Sequence, residues 1–264
     1  PLMEIDEQEV TIGHEASVDF GGAQVRLIAI APGRASLRLE PGLLEMEASG
    51  VVGGLPRANG PSGPVIAHVL AGTATDAAPG LILGRHSIAP PAPGVGTLAS
   101  YSAGRFRIGV WGADVRLDRS AGHAELLDAL QGPILIRAGV VQAIEPAGPG
   151  APHATRVGLG IDEAGRLLIA QGDLTDDRGL AQTLLAAGAT AAVSLDRGRR
   201  VERGVWVRDT SGTAATTVLR ALSNGRAMPP TAPQATAVIV EGRPFVLPTF
   251  RLDRPATASA ESAR

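Results

Sequence analysis

Hydrophobic residues alternate with polar or small residues over many short stretches, and this period-two pattern predicts a chain built largely from strands. The predicted strands are Val25–Ile30, Ser36–Glu40, Val65–Leu70, Gly96–Ser102, Phe106–Trp111, Pro133–Arg137, Val157–Asp162, Leu167–Gln171, Ala191–Leu195, Val205–Arg208, Val218–Leu222 and Ala237–Val240. Two connections are short and contain glycine, Ala103-Gly104 and Glu163-Ala164-Gly165. Each predicts a β-hairpin.

Two segments have leucines at helical spacing, and we expect both to form helices. They are Ala121–Leu130, with Leu126, Leu127 and Leu130, and Asp177–Ala187, with Leu180, Leu184 and Leu185. Thr175 or Asp176 can cap the start of the second helix, and Gly188 can end it. The expected fold is therefore α+β: mixed β-sheets of many short strands flanked by two or three helices, with a groove at the strand ends.

The organisation along the chain predicts one domain over residues 1–254. The loop Pro146–Pro152 is the best place for an internal seam, and the proline-rich loop Ala89–Gly94 is a candidate rim over a cleft. Residues Pro255–Arg264 are small and polar, so we expect a disordered tail. The chain begins at Pro1 without an initiator Met, which suggests that an upstream segment was removed or omitted.

Composition excludes several classes of function. The 264 residues carry a net charge of -2, which gives no broad attraction to nucleic acid. Cysteine is absent, so thiol nucleophiles and thiolate metal sites are excluded. Lysine is also absent, which excludes Schiff-base chemistry and a Walker-type phosphate loop. No apolar run reaches the roughly 18 residues that a membrane span needs.

Motifs for metal, hydride or serine chemistry are missing as well. The five histidines are scattered, with no pair at helical ligand spacing, so no metal and no other cofactor is expected. No G-x-S-x-G elbow is present, and no G-x-G-x-x-G opens a helix. The basic run Arg197-Gly198-Arg199-Arg200 is either a solvated turn or a clamp for phosphate or carboxylate.

Three aspartates follow predicted strands between residues 156 and 196. They are Asp162, Asp173 and Asp196. If those strands are neighbours, their ends bring carboxylates towards one rim, as acid/base cleavage of a glycosidic bond requires. Asp162, just before Gly165, is expected to be a turn residue instead. Asp196, at a strand end and near a glycine, is the strongest candidate.

The same stretch resembles the phosphodiester glycosidase domain family, which has a segment like R-T-A-L-G-V-D-x-x-G-R-L-L-L-V-V-V-D, a Leu-rich helix and then N-L-D-G-G-G-S. The matching residues are Arg156, Gly160, Asp162, Gly165, Leu167, Leu168, Asp173, Leu184, Gly188, Ala189, Leu195, Asp196 and Gly198. The resemblance covers about two thirds of the chain, including weaker similarity through residues 94–115. It implies hydrolysis of a sugar-1-phosphodiester or related glycosidic bond. Asp196 and Asp173 would be the catalytic carboxylates, and Arg156, Arg197, Gly198 and Gly72 would contact the substrate.

Both signature loops of the family are altered in this chain. N-L-D-G-G-G-S reads Ser194-Leu195-Asp196-Arg197-Gly198-Arg199-Arg200, so two glycines have become arginines. An earlier N-G-G-F is expected near residues 71–74, where only Gly72 is kept. Glycine lets a ligand approach the backbone closely, and a guanidinium side chain fills that space.

Three hypotheses for the function follow from these observations. The first is a glycosidase with a changed substrate, and the second is an inactive relative that binds envelope glycans or a protein partner. The third is a structural module of a larger secreted protein. The expected ligand is a carbohydrate or glycosyl phosphodiester, not nucleic acid. The resemblance implies an extracytoplasmic location, periplasmic or secreted.

Overall fold

Strands dominate the part of the chain that the computed structural model describes, which is residues 2–4, 11–42, 65–72, 79–116, 124–195, 204–208, 219–222 and 236–242. The strands are β1 Leu2–Glu4, β2 Thr11–Phe20, β3 Ala23–Ile30, β4 Ala35–Glu40, β5 Val65–Leu70, β6 Leu81–Leu83, β7 His86–Ala89, β8 Gly96–Tyr101, β9 Arg105–Val110, β10 Leu126–Gln131, β11 Ile134–Arg137, β12 Val140–Val141, β13 Ala154–Asp162, β14 Leu167–Leu174, β15 Ala189–Ser194, β16 Gly204–Arg208, β17 Leu219–Ala221 and β18 Ala237–Gly242. The described helices are a 3-10 turn, Ser102–Gly104, and α1, Arg178–Ala186.

The expectation of an α+β fold with two or three helices is wrong. The described residues are mostly β and contain one α-helix, α1, which matches the predicted helix at Asp177–Ala187. The second half of the predicted helix Ala121–Leu130 forms strand β10, Leu126–Gln131, instead. Nine residues are too few for α1 to cross a bilayer, and no longer helix occurs among the described residues.

The strands form three antiparallel sheets. The largest has eight strands in the order β1-β2-β3-β14-β13-β15-β11-β12. The second has the order β7-β6-β10-β8-β9, and the third has the order β17-β16-β5-β18-β4. Both predicted hairpins are confirmed, since β8 pairs with β9 and β13 pairs with β14.

One apolar core joins all three sheets. It includes Ile169 of β14, Leu98 of β8 and Val69 of β5. The opposite face of the eight-stranded sheet is covered by α1, whose Leu180 and Leu184 are fully buried. Alternate residues of β13 and β14 therefore face either the other sheets or the helix, so the middle of the eight-stranded sheet is covered on both sides.

Glycines on β13 allow α1 to lie close to the sheet. A Cβ added at Gly158 would lie 3.2 Å from a methyl carbon of Leu184. A Cβ at Gly160 would lie 3.3 Å from the other methyl carbon of Leu184. Contacts this close are tighter than ordinary packing, so a side chain at either position would push Leu184 outward, and the two glycines help α1 to lie close to the sheet.

Polar side chains within the core connect the sheets and hold one loop. Asp128 of β10 accepts hydrogen bonds from Leu39 N of β4 and from Gly84 N. Burial raises the pKa of the Asp128 carboxyl, although these amides oppose that rise. Gln131 Oε1 accepts from Ala92 N at 2.8 Å, which fixes the proline-rich loop Ala89–Gly94.

The structure describes the predicted internal seam, Pro146–Pro152, but not the predicted tail. The segment of the predicted seam contacts the start of α1, since Ala147 N donates to the carboxylate of Asp176. The predicted tail, Pro255–Arg264, lies outside the described residues. A single domain over residues 1–254 stays a prediction.

Candidate active site

The ends of β5 and β15 meet at the two segments predicted to be ligand loops. Gly72 follows β5, and its backbone N–H donates to the carbonyl of Leu195, which follows β15, at 2.8 Å. The preceding residue, Ala71, donates to the carbonyl of Thr236 at 2.9 Å, just before β18. Thr73 and Asp196, the next residues on each side, lie outside the described part of the chain. The two predicted signature segments are thus neighbours in space.

The end of β15 is held firmly by its neighbours. Leu195 N donates to the carbonyl of Val157 on β13, and Ser194 N donates to the carbonyl of Pro133, both at 2.8 Å. Gly132 lies directly against this end, because a Cβ there would overlap the Ser194 carbonyl oxygen. The direction in which the chain leaves β15 is therefore set by β13 and by the turn between β10 and β11.

Asp173 lies at the same end of the eight-stranded sheet, two strands from Leu195. Its side chain is exposed, and its Oδ1 accepts a hydrogen bond from the Thr155 hydroxyl at 2.8 Å. His153 Nδ1 donates to the Asp173 backbone carbonyl at 3.0 Å. No described residue contacts the second carboxylate oxygen of Asp173. The result is an oriented carboxylate with one oxygen available to accept a proton or a hydrogen bond.

Gln171 shows which face of the sheet Asp173 shares. Its Oε1 accepts from Val205 N of β16 at 2.9 Å, so the Gln171 side chain points towards the third sheet. Asp173 is two residues further along β14 and points to the same side. We call Gly72, Thr155, Val157, Asp173 and Leu195 the strand-end site. It lies on the side of the eight-stranded sheet that faces β5 and β16.

Arg156 lies on the other side of this sheet. Its Nε donates to the carbonyl of Leu174 at 3.2 Å, and a terminal nitrogen donates to the carbonyl of Thr175 at 2.8 Å. Its other terminal nitrogen contacts the carboxylate of Asp177, the N-cap residue of α1, at 3.1 Å. In this arrangement the guanidinium orders the loop between β14 and α1.

The turn residue Asp162 is also far from the strand-end site, at the opposite end of β13. Burial opposes its ionisation, but hydrogen bonds from the side chain and the backbone amide of Arg166 outweigh burial and lower its pKa. Gly165 N donates to the Asp162 carbonyl, and Gly165 has a φ of 83°. The prediction that Asp162 is a turn residue is confirmed.

Of the predicted site residues, the structure describes Asp173, Gly72 and Arg156. It brings Asp173 and Gly72 to one end of the sheet, and it places Arg156 on the opposite face. The other three, Asp196, Arg197 and Gly198, lie outside the described residues. Among the described residues, no three His, Asp or Glu side chains cluster as metal ligands do.

Thr155 was missed, although the sequence contains the signal that locates it. The β13–β14 register pairs Ile161 with Leu167 across the predicted turn and continues without a bulge to the pair of Thr155 and Asp173. Counting back from the turn therefore identifies the residue opposite Asp173. Gln171 carries no such signal, because its partner is in a strand that lies far along the chain.

Comparison with solved structures shows a shared fold. One match is the zebrafish N-acetylglucosamine-1-phosphodiester alpha-N-acetylglucosaminidase catalytic domain, auto-inhibited by its pro-peptide. Its TM-score is 0.53 at 13% identity, over 92% of this chain and 87% of that chain. A hypothetical protein from Synechocystis matches with a TM-score of 0.51 at 12% identity, over 88% of this chain and 62% of that chain. The chain thus has a fold like that of the zebrafish glycosidase catalytic domain.

Two further results limit what the comparisons add. An exported protein from Burkholderia pseudomallei matches with a TM-score of 0.43 at 13% identity, over 83% of this chain and 74% of that chain, too weakly to support an argument. No protein-family model and no curated protein sequence matches the chain. At these identities the structural matches speak for the fold alone.

Proposed function

We propose that this domain hydrolyses a sugar-1-phosphodiester or a related glycosidic bond at the strand-end site. The observation that carries the proposal is the hydrogen bond from Gly72 to Leu195, because it joins the two segments at which the signature loops of one glycosidase family are expected. Asp173 lies at the same end of the same sheet. The matched zebrafish domain, whose name gives a phosphodiester glycosidase activity, supports this reading of the fold.

Asp196 and Asp173 are the two carboxylates of the proposed mechanism. Leu195, which precedes Asp196, directly follows β15, and β15 is separated from β14 by β13 alone. Two interstrand spacings amount to about 10 Å, so carboxyl groups that lean towards each other reach the roughly 5 to 10 Å that glycosidases use. The mechanism requires Asp196 to direct its carboxyl towards Asp173.

Thr155 and Arg156 have supporting roles in this proposal. The Thr155 hydroxyl holds one oxygen of Asp173, which leaves the other to face the substrate. Arg156 fixes the loop that follows Asp173 through three hydrogen bonds. A direct contact between Arg156 and a phosphate would need that guanidinium to leave these partners, so we assign the phosphate contact to Arg197. Arg197 belongs to the basic run that follows Asp196.

A second candidate function is glycan binding without hydrolysis, and the altered signature loop favours it. Arg197 and Arg199 stand where the family has glycines, and side chains there narrow the space for a ligand. A carbohydrate is the ligand in both cases. For both functions we propose an extracytoplasmic location, on the strength of the family resemblance.

Turnover of a panel of sugar-1-phosphodiesters separates the two functions. We expect the native domain to release free sugar and the Asp196→Asn variant to lose about a hundredfold or more of that rate. Asp19→Asn is the matched control, because Asp19 is an exposed carboxylate on β2, beside the β2–β3 turn. If no substrate is turned over while the domain still binds sugars on a glycan array, glycan binding replaces hydrolysis as the function.

A further inference from the structure

A pocket of about 550 Å³ lies at the opposite end of β13 from the strand-end site. Ile161 lines it, four residues along β13 from Val157, which corresponds to about 13 Å of strand. We call it the arginine pocket, because Arg105, Arg107 and Arg116 line it together with Phe106 and Ile161. Its volume is typical of sites for small organic molecules.

Two of the three arginines have no partner in the described part of the chain. Arg105 and Arg107 are exposed residues two apart on β9, so their side chains leave the same face of the strand. Neither makes an ion pair or a side-chain hydrogen bond with a described residue. Arg116 uses its Nε to donate to the carbonyl of Ala113 at 3.2 Å. Each guanidinium therefore has donors left for a ligand.

Among the described residues of the pocket lining, the one carboxylate, Asp114, is already engaged. Asp114 accepts a hydrogen bond from Val110 N at 3.0 Å and from Arg137 at 3.0 and 3.3 Å. The Val110 amide first, and then Arg137, hold the pKa of Asp114 below its ordinary value against the effect of burial. Asp114 thus stays ionised and bound to Arg137, and the pocket arginines keep an excess of positive charge.

The apolar part of the pocket lies beside an open strand edge. β9 is the last strand of its sheet, and Phe106 and Ile161 are partly buried against the main core. Trp111 N donates to the carbonyl of Val95, so by alternation Phe106 turns its backbone amide away from β8. Phe106 lies between Arg105 and Arg107 and leaves the opposite face of β9. Since all three line the pocket, the pocket extends around the edge of β9, with guanidinium groups on one face and Phe106 and Ile161 on the other.

We propose that the arginine pocket binds a small organic anion, with its carboxylate or phosphate on Arg105 and Arg107 and its ring or chain against Phe106 and Ile161. Guanidinium forks suit both anions, and the pocket volume is large enough for a ring. This site is separate from the strand-end site and does not depend on the proposed hydrolysis. It provides the domain with a second, non-catalytic ligand.

Chemical-shift titrations of the ¹⁵N-labelled domain test this site with four simple probes. Phenyl phosphate and benzoate represent the two anion classes, benzyl alcohol is the neutral ring, and inorganic phosphate lacks the ring. The anion class that the pocket prefers should shift the amide resonances of Phe106 and Ile161. It should also bind about tenfold or more tightly than benzyl alcohol. Comparison of phenyl phosphate with benzoate then identifies the preferred anion.

Variants link that binding to the pocket. The double variant Arg105→Gln, Arg107→Gln should weaken anion binding about tenfold or more, and Phe106→Ala should weaken phenyl phosphate but not inorganic phosphate. Arg85→Gln is the control, because Arg85 is exposed, pairs with Glu125 and lies outside the pocket lining. Thermal melting shows that each variant is folded. Undiminished anion binding in the double variant, or no binding of either aromatic anion by the native domain, would overturn the proposal.

Discussion

The backbone amide of Gly72 donates a hydrogen bond to the carbonyl of Leu195 across 2.8 Å. These two residues are more than 120 positions apart in the sequence, and each follows a strand of a different sheet, β5 and β15. Their hydrogen bond holds the ends of these two strands together. The predictions below test the packing that creates this edge and the carboxylates that use it.

Gly132 should be intolerant of any side chain. A Cβ there would overlap the Ser194 carbonyl oxygen, so Gly132→Ala must displace the end of β15. We expect a loss of about 1 to 3 kcal/mol in the free energy of unfolding, measured by urea denaturation. Gly148→Ala is the control, because nothing lies within 4 Å of a Cβ at Gly148. Equal stability of the two variants would show that β15 is not held in this way.

The hydrogen bond between Gln171 and Val205 should connect the first and third sheets. Gln171→Leu keeps the volume but leaves the buried Val205 amide without its acceptor, at a cost of about 1 to 3 kcal/mol. The control is Gln182→Leu on the exposed side of α1, which should change the stability little. If Gln171→Leu is as stable as the native domain in urea, this hydrogen bond does not stabilise the contact between the two sheets.

Acid should destabilise the native domain partly through Asp176. Hydrogen bonds from Arg178 lower the pKa of the Asp176 carboxyl from 3.8 to about 2 in the folded state. A lowered pKa adds stability above the unfolded value, and that stability is lost as the pH falls from about 4 towards 2. Because Arg178 is half exposed, we expect of the order of 1 kcal/mol.

The difference in unfolding free energy between the native domain and Asp176→Asn measures this contribution. It should be largest near neutral pH and shrink as the pH falls below about 4. Urea denaturation at a series of pH values gives the curve. A difference that stays constant down to pH 2 would contradict the assignment to Asp176.

Thr155 should affect turnover through Asp173. Thr155→Val removes the hydroxyl that holds Asp173 Oδ1 but keeps the shape of the side chain. We expect kcat to fall about tenfold with little change in melting temperature, and Thr155→Ser to restore most of the rate. A normal kcat in Thr155→Val would show that Asp173 needs no such support or has no part in the reaction.

The sequence predicts the hairpins and α1 because their signals are local. Glycine-containing turns set the register of β8–β9 and β13–β14, and Gly188, with a φ of 94°, ends the helix where expected. The pattern of β10 predicts a helix, because the strand is buried on both faces and includes the polar residues Asp128 and Gln131. An irregularity between Leu126 and Asp128 further hides the period of two.

Only part of the candidate site is predictable from the sequence, because one of its contacts lies within a hairpin and another joins residues far apart in the chain. That Asp173 lies at a strand end follows from the pattern, and its contact with Thr155 follows from the register of one hairpin. That Arg156 faces α1 is also implied by alternation, since its neighbour Thr155 faces the other sheets. In contrast, the meeting of Gly72 with Leu195 depends on how three sheets pack, and no local pattern contains that information.

A double-mutant cycle on Asp173 and Asp196 tests the central claim most directly. The measurement is kcat/KM on a sugar-1-phosphodiester for the native domain, Asp173→Asn, Asp196→Asn and the double variant. If the two carboxylates act as a pair, each single variant loses about a hundredfold or more, and the double variant loses much less than the product. Full turnover in either single variant, or no turnover in the native domain, would contradict the account.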